Sequence, residues 1–258
     1  TISSLYLAIF NISNVIILTP FVGLLDKLLL YIVKDTGEDE QRVTKLASLK
    51  MTLPNVIIDQ TKIEVSSMVT MIDDVFLKLE ESLKEKEKIA KYNEDIVAAE
   101  DKLDLYEKEI YDSNFSLLSK SLSKSLIEDT RMNLLACDEY ETIGDYQNRI
   151  ANRLYMLYEN SIDLDETRAK MIFKLHSLSV ELFNDISRAV NTGEKELYST
   201  GLKKYQELKS YYKEVKREHF SRSENIPARL NTGYLDIINY YKRIADHTYN
   251  IIEYVMKI

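Results

Sequence analysis

The sequence predicts an all-α protein, and three observations carry that prediction. Only six Gly and three Pro occur in 258 residues, so the chain has few places to turn and long elements must carry most of it. From Ile63 to Ile258 apolar residues recur at spacings of three and four, the period of an amphipathic helix and not of a strand. The third observation is an internal repeat. Laid over each other at an offset of 101, Tyr140, Ile143, Gly144, Asp145 and Ile150 fall on Tyr241, Ile244, Ala245, Asp246 and Ile251. The expected architecture is a tandem pair of three-helix bundles, six helices in all, preceded by one hydrophobic helix.

That first helix is "LYLAIFNISNVIILTPFVGLL", residues 5 to 25, which is 21 residues without a charge. About 20 such residues span a bilayer core, so a transmembrane helix over 1–34 is the leading reading. A buried core helix remains the alternative. Asn11, Ser13 and Asn14 interrupt the apolar run, and polar groups in a span belong against neighbouring helices. A signal peptide fits less well, because the segment has no basic leader and no small-x-small cleavage site. From Lys34 to Lys50 the sequence turns polar, "KDTGEDEQRVTKLASLK", and residues 35–62 read as a linker.

The first bundle, 63–162, takes its helices from periodic stretches at 65–83, 95–110 and 131–158, and the second, 163–258, from 167–190, 196–220 and 232–258. Asp163 or Asp165 can cap the fourth helix, "NTGE" at 191–194 ends it, and "SENIP" separates the last two. A unit close to a hundred residues is too long for a solenoid repeat and suits a three-helix bundle. The charged run "KLEESLKEKEKIAKYNED" reads as a solvated helix end with its turn.

A net charge of −8 argues against general affinity for nucleic acid, which needs a surplus of Lys and Arg on one face. The single cysteine, Cys137, cannot form an internal disulfide and reads as a small packing residue in a reducing compartment. "NIS" at 11–13 and "NFS" at 114–116 fit the glycosylation pattern by chance. Neither a Gly-rich phosphate loop nor a Ser/His/Asp order is present, so no enzyme is expected.

In the third helix Ala136, Ile143, Ile150, Leu154 and Leu157 gather on one side, with Asp138, Glu141, Asp145, Asn148 and Asn152 on the other. The last helix repeats the design, with Ile237, Tyr241, Ile244, Ile251 and Val255 inward and Asp236, Asn239, Arg243, Asp246, Asn250 and Glu253 outward. Small residues at Gly144 and Ala245 would let a neighbouring helix come close. Carboxylates four apart project from one helical face, so Glu100 with Asp104 and Glu141 with Asp145 could converge on a cation. A solvated acidic face is the competing and favoured reading. In the second half Lys242 replaces Glu141, and Tyr198 is read as standing where Asp104 would be, which disfavours a metal there. His176, His219 and His247 lack the spacing of a zinc site and read as hydrogen-bonding or surface residues.

"RIADHTYNII" is similar to the "ERIGDHAxNIA" signature of PhoU domains, and "TIGDYQNRIA" is a looser copy. "KREHFSRSE" with "NTGYLDIINYYKRIADH" resembles the corresponding run in the PhoU-like domain of bacterial sodium/phosphate (Na/Pi) cotransporters. "LASLKMTLPNVIIDQTKIEVSSMVTMI" resembles the segment joining membrane and PhoU portions there, and "FNISNVIILTPF" the last membrane helix. The resemblance implies a PhoU-like regulatory or accessory domain of such a transporter, concerned with phosphate uptake and its control. It places residues 5–25 in the cell membrane and 35–258 in the cytoplasm. Its partners would be the membrane, a transporter core upstream of Thr1 and a second copy as a homodimer. The family's use of Glu/Asp-x-x-x-Asp pairs implies a divalent or transition metal at Glu100, Asp104, Glu141 and Asp145. A stand-alone helical interaction module without a transport role is the alternative.

Overall fold

The computed structural model describes residues 43–49, 53–118, 122–192, 194–222 and 226–256, together with Phe10. Residues 43–258 form one compact unit. A short 3-10 turn, Leu46–Leu49, leads into six helices: α1 (Pro54–Lys84), α2 (Glu87–Leu118), α3 (Lys124–Glu159), α4 (Glu166–Thr192), α5 (Lys195–Ser221) and α6 (Ala228–Met256). Among the described residues there is no strand, and no helix is long and apolar enough to cross a membrane. The membrane reading of 5–25 falls, apart from Phe10, outside the described residues.

The helix boundaries follow local chemistry. Pro54 opens α1, where a first-turn residue has no intrahelical use for an N–H. This corrects the linker, because residues 54–62 are already helical and bury Ile57, Ile58 and Thr61. Ser123 caps α3 by accepting from the Leu126 amide at 3.4 Å, and Asp165 caps α4 through the Arg168 amide at 3.0 Å. At the end of α3, Ser161 takes a left-handed φ of 57°. The Ile162 amide then reaches back to the Leu157 carbonyl at 2.9 Å, closing a Schellman turn.

The chain upstream of α1 is tied to two helices at once. Glu109 of α2 accepts from the Val43 and Thr44 amides, both at 2.9 Å, and from the Thr44 hydroxyl. Glu64 of α1 accepts from the Lys45 amide at 3.1 Å, and Leu46 is buried beside them.

α3 and α6 lie at the centre, packed on one another. α1 and α2 complete a three-helix bundle with α3, and α4 and α5 complete a second with α6. Ile143, Ile150 and Leu154 of α3 and Ile237, Tyr241 and Ile244 of α6 have no exposure, and each buried aliphatic side chain contributes about 1.5–3 kcal/mol. Leaving aside Val255, whose side chain is outside the described residues, the inward faces are those the periodicity assigns. Buried Met68, Ile72, Phe76 and Leu79 of α1 correspond to buried Leu175, Ser179, Phe183 and Ile186 of α4, and across the middle such equivalent residues meet: Phe76 packs edge-on against Phe183 at 5.5 Å, and Tyr146 faces His247 at 5.6 Å. Contacts between equivalent positions are the mark of an approximate two-fold axis between the halves.

Candidate functional site

The four acidic residues singled out in the sequence do come together, along the seam where α2 runs antiparallel to α3. Gly144 makes the close approach. A methyl group there would stand 2.3 Å from the Leu103 side chain, so the tip of Leu103 rests directly on the α3 backbone. In that register Glu100 faces Asp145, Asp104 faces Glu141, and Glu107 faces Asp138. The sequence reading missed Glu107 and the part Asp138 plays, although the spacing 100, 104, 107 is itself a helical stripe.

These carboxylates are half-buried or exposed at the surface of the seam, not wholly solvated as an outer face would be. Burial raises the pKa of Glu100, Asp104, Glu107 and Asp138, and like-charged neighbours add to the rise. Glu141 moves furthest, pushed up to about 7 by burial and then by Glu107, Asp104 and Asp145. Asp145 is taken by Arg149, with Nη2 at 2.7 Å. No group of three or more His, Cys, Asp or Glu among the described residues is arranged to hold a metal ion. As placed, the donors form facing pairs.

The α5–α6 seam is built on the same register with different groups. Buried Gly201, Leu208 and Val215 of α5 take the places of Ile96, Leu103 and Ile110 of α2. This corrects the assignment of Tyr198: the place of Asp104 falls to Lys209 on that register, and the Tyr198 hydroxyl is spent on the Ala189 carbonyl at 3.2 Å. Tyr205 is the residue opposite Asp246, donating at 3.1 Å, and Tyr212 donates to Asn239 at 2.5 Å. Lys242 pairs with Asp246. Burial, then Asp246, pushes the Tyr205 hydroxyl up to about 12, so it stays a donor. Where the first seam sets carboxylate against carboxylate, the second sets donor against acceptor.

The signature residues themselves tie the halves together. Glu139 of α3, almost wholly buried, accepts from His247 Nδ1 at 2.7 Å, Asn250 Nδ2 at 3.1 Å and Tyr254 Oη at 2.7 Å. Sequence reasoning passed over Glu139 because it lies beside the apolar stripe. His219 is buried, with Nε2 2.6 Å from Asn231 Oδ1, the hydrogen-bonding one of the two readings offered for it. His176 is buried against Phe76 and Tyr241, with Nδ1 3.1 Å from the Tyr241 hydroxyl, and burial pushes its pKa down to about 4. Cys137 is free and buried against Met68, and Asn114 of "NFS" is fully buried on Thr61, beyond reach of a glycan. A largely apolar groove of about 550 Å³ opens between α1, α3 and α6, lined by Val65, Val69, Met132, Ala136 and Ile251 with Lys62 at its rim.

The comparisons with known proteins agree with this architecture. No curated protein matches the chain. The crystal structure of the phosphate transport system regulatory protein PhoU from Streptococcus pneumoniae superposes with a TM-score of 0.68 at 19% identity, covering 79% of this chain and 95% of that one. At that identity the likeness is one of fold. Residues 172–255, nearly all of the second bundle, match the PhoU domain family, and the six helices take the PhoU fold.

Proposed function

We propose that this chain is a PhoU-like, non-enzymatic regulatory domain acting in the control of phosphate uptake, attached to a Na/Pi cotransporter family protein. The observation that carries the regulatory reading is the PhoU domain match over 172–255, set in a six-helix unit with the fold of a phosphate transport regulator. The attachment to a transporter is supported by sequence alone: the uncharged run at 5–25 followed by a joining segment of the cotransporter type. In this reading residues 43–258 lie on the cytoplasmic face and act by helix-bundle contacts.

The test is uptake of radiolabelled phosphate by host cells carrying the intact gene, a deletion of the segment encoding 43–258, or none of it. Removal of the segment should leave uptake no longer limited when phosphate is abundant. Unchanged uptake in all three strains would favour the stand-alone interaction module. Partition of the full chain into membranes, reversed only by detergent, is expected alongside.

A further inference from the structure

The α2–α3 seam continues past its last carboxylate pair into exposed apolar side chains. On α2, Tyr111, Phe115 and Leu118 are 38%, 74% and 41% exposed, and Ile127 at the facing start of α3 is 44% exposed. They share one stripe: Glu100, Asp104, Glu107, Tyr111, Phe115 and Leu118 recur at spacings of three and four along α2. Apolar groups clustered at a helix-pair surface, continuous with unneutralised charge, mark a contact surface more than a solvated one.

The second bundle shows that this register does not require such a surface. There Tyr205, Tyr212 and Lys242 satisfy the seam from within. In the first seam the described groups that act on Glu100, Asp104, Glu107 and Glu141 are carboxylates, the Asn148 amide and the Thr142 hydroxyl, with no Lys or Arg among these described groups. Asp138 has Glu139 and the imidazole of His247 as its charged neighbours.

We infer that the α2–α3 seam is a docking surface for a basic amphipathic helical segment of a partner protein, apolar at one end and cationic at the other. Charge complementarity fixes that occupant: an anionic membrane or a nucleic acid would be repelled by the same carboxylates. The stripe from Glu100 to Leu118 measures about 27 Å at 1.5 Å per residue, which suits a segment of about 18 residues. Its Lys or Arg side chains would sit over the carboxylate pairs and its Leu or Phe side chains over Phe115 and Leu118. The inference does not depend on the phosphate reading.

The test uses the full chain and a synthetic, end-blocked helical peptide of about 18 residues. It carries Lys at spacings of four and three, with Leu and Phe in the following two turns. A control peptide has the same composition in scrambled order. Titration calorimetry at low and moderate salt should show saturable binding of the first peptide and weaker binding of the control. Binding should weaken about tenfold or more in the triple variant Asp104→Asn, Glu107→Gln, Glu141→Gln, and comparably in Phe115→Ser. Both sets replace surface groups, and unchanged circular dichroism verifies that they fold. Equal binding of the scrambled peptide, or indifference to Phe115→Ser, would reduce the surface to bulk electrostatics and overturn the inference. So would a dimer by sedimentation, dissociated by Phe115→Ser and closed to the peptide, or saturable Mg²⁺ or Mn²⁺ binding at the seam with no peptide binding.

Discussion

The two bundles share a register and differ in how they close it. At equivalent points the α2–α3 seam sets Glu100 against Asp145 and Glu107 against Asp138, whereas the α5–α6 seam sets Tyr205 on Asp246 and Tyr212 on Asn239. Composition follows the same division: residues 63–162 hold 22 acidic and 12 basic side chains, and residues 163–258 hold 14 and 16. The apolar side of each central helix is shared by both bundles; the polar side is where they diverge. Packing sets what must be kept, and a surface seam is free to specialise.

The comparison breaks first if the cores are not equivalent. Ile143→Asp and Ile244→Asp each place an unpaired charge at a position with no exposure, and each should destabilise by about 3 kcal/mol or more. Denaturant midpoints measure this, and a mild effect in one bundle alone would mean the halves do not share a core design. Glu139→Ala should come next, at about 2–3 kcal/mol, because it strands the donors His247, Asn250 and Tyr254. As the residue joins α3 to α6, its loss should appear as a single cooperative transition at a lower midpoint; two separated transitions would show bundles that unfold independently.

The smaller effects sharpen the contrast between seams. Tyr205→Phe and Tyr212→Phe should each cost about 1 kcal/mol, since each removes one hydrogen bond from a half-buried acceptor. Glu141→Gln should act in the opposite sense, and only in one pH range. Its folded pKa, about 7, lies above the ordinary value of 4.5. The stability linked to the protonated carboxyl is therefore fully present below 4.5 and lost as pH rises through about 7. The glutamine variant should match the parent near pH 5 and be more stable by thermal melting at pH 8. Equal melting temperatures at pH 8 would show that solvent already screens the repulsion.

Much of this was legible beforehand because helical period reports burial. The inward positions of α3 and α6, the small residue at 144 and the cap at Asp165 were all readable from spacing and residue type. The start of α1 was not, because Leu53 and Pro54 end a polar stretch and Asn55, Asp59 and Gln60 dilute the first turns. The counterpart of Asp104 was misplaced for a different reason. Periodicity places residues on a face but does not say how far a neighbouring helix slides along it, and loop lengths between helices are under no such rule. Only the buried sequence Gly201, Leu208, Val215 against Ile96, Leu103, Ile110 fixes that slide. Glu139 escaped because a lone carboxylate next to an apolar stripe looks like surface until its three donors, distant in sequence, arrive.

The approximate axis between the bundles carries an evolutionary implication. In a symmetric pair of identical units, a residue on the axis meets its own copy, so one codon sets both sides of the contact. Phe76 and Phe183 still look like that arrangement, the same ring on either side. Tyr146 and His247 do not. Once both units are written in one gene, the two sides of the axis can change separately, and an imidazole on one side alone can answer the single carboxylate of Glu139. Tandem fusion thus gives the protein something an assembly of identical subunits cannot have: a junction with a left and a right.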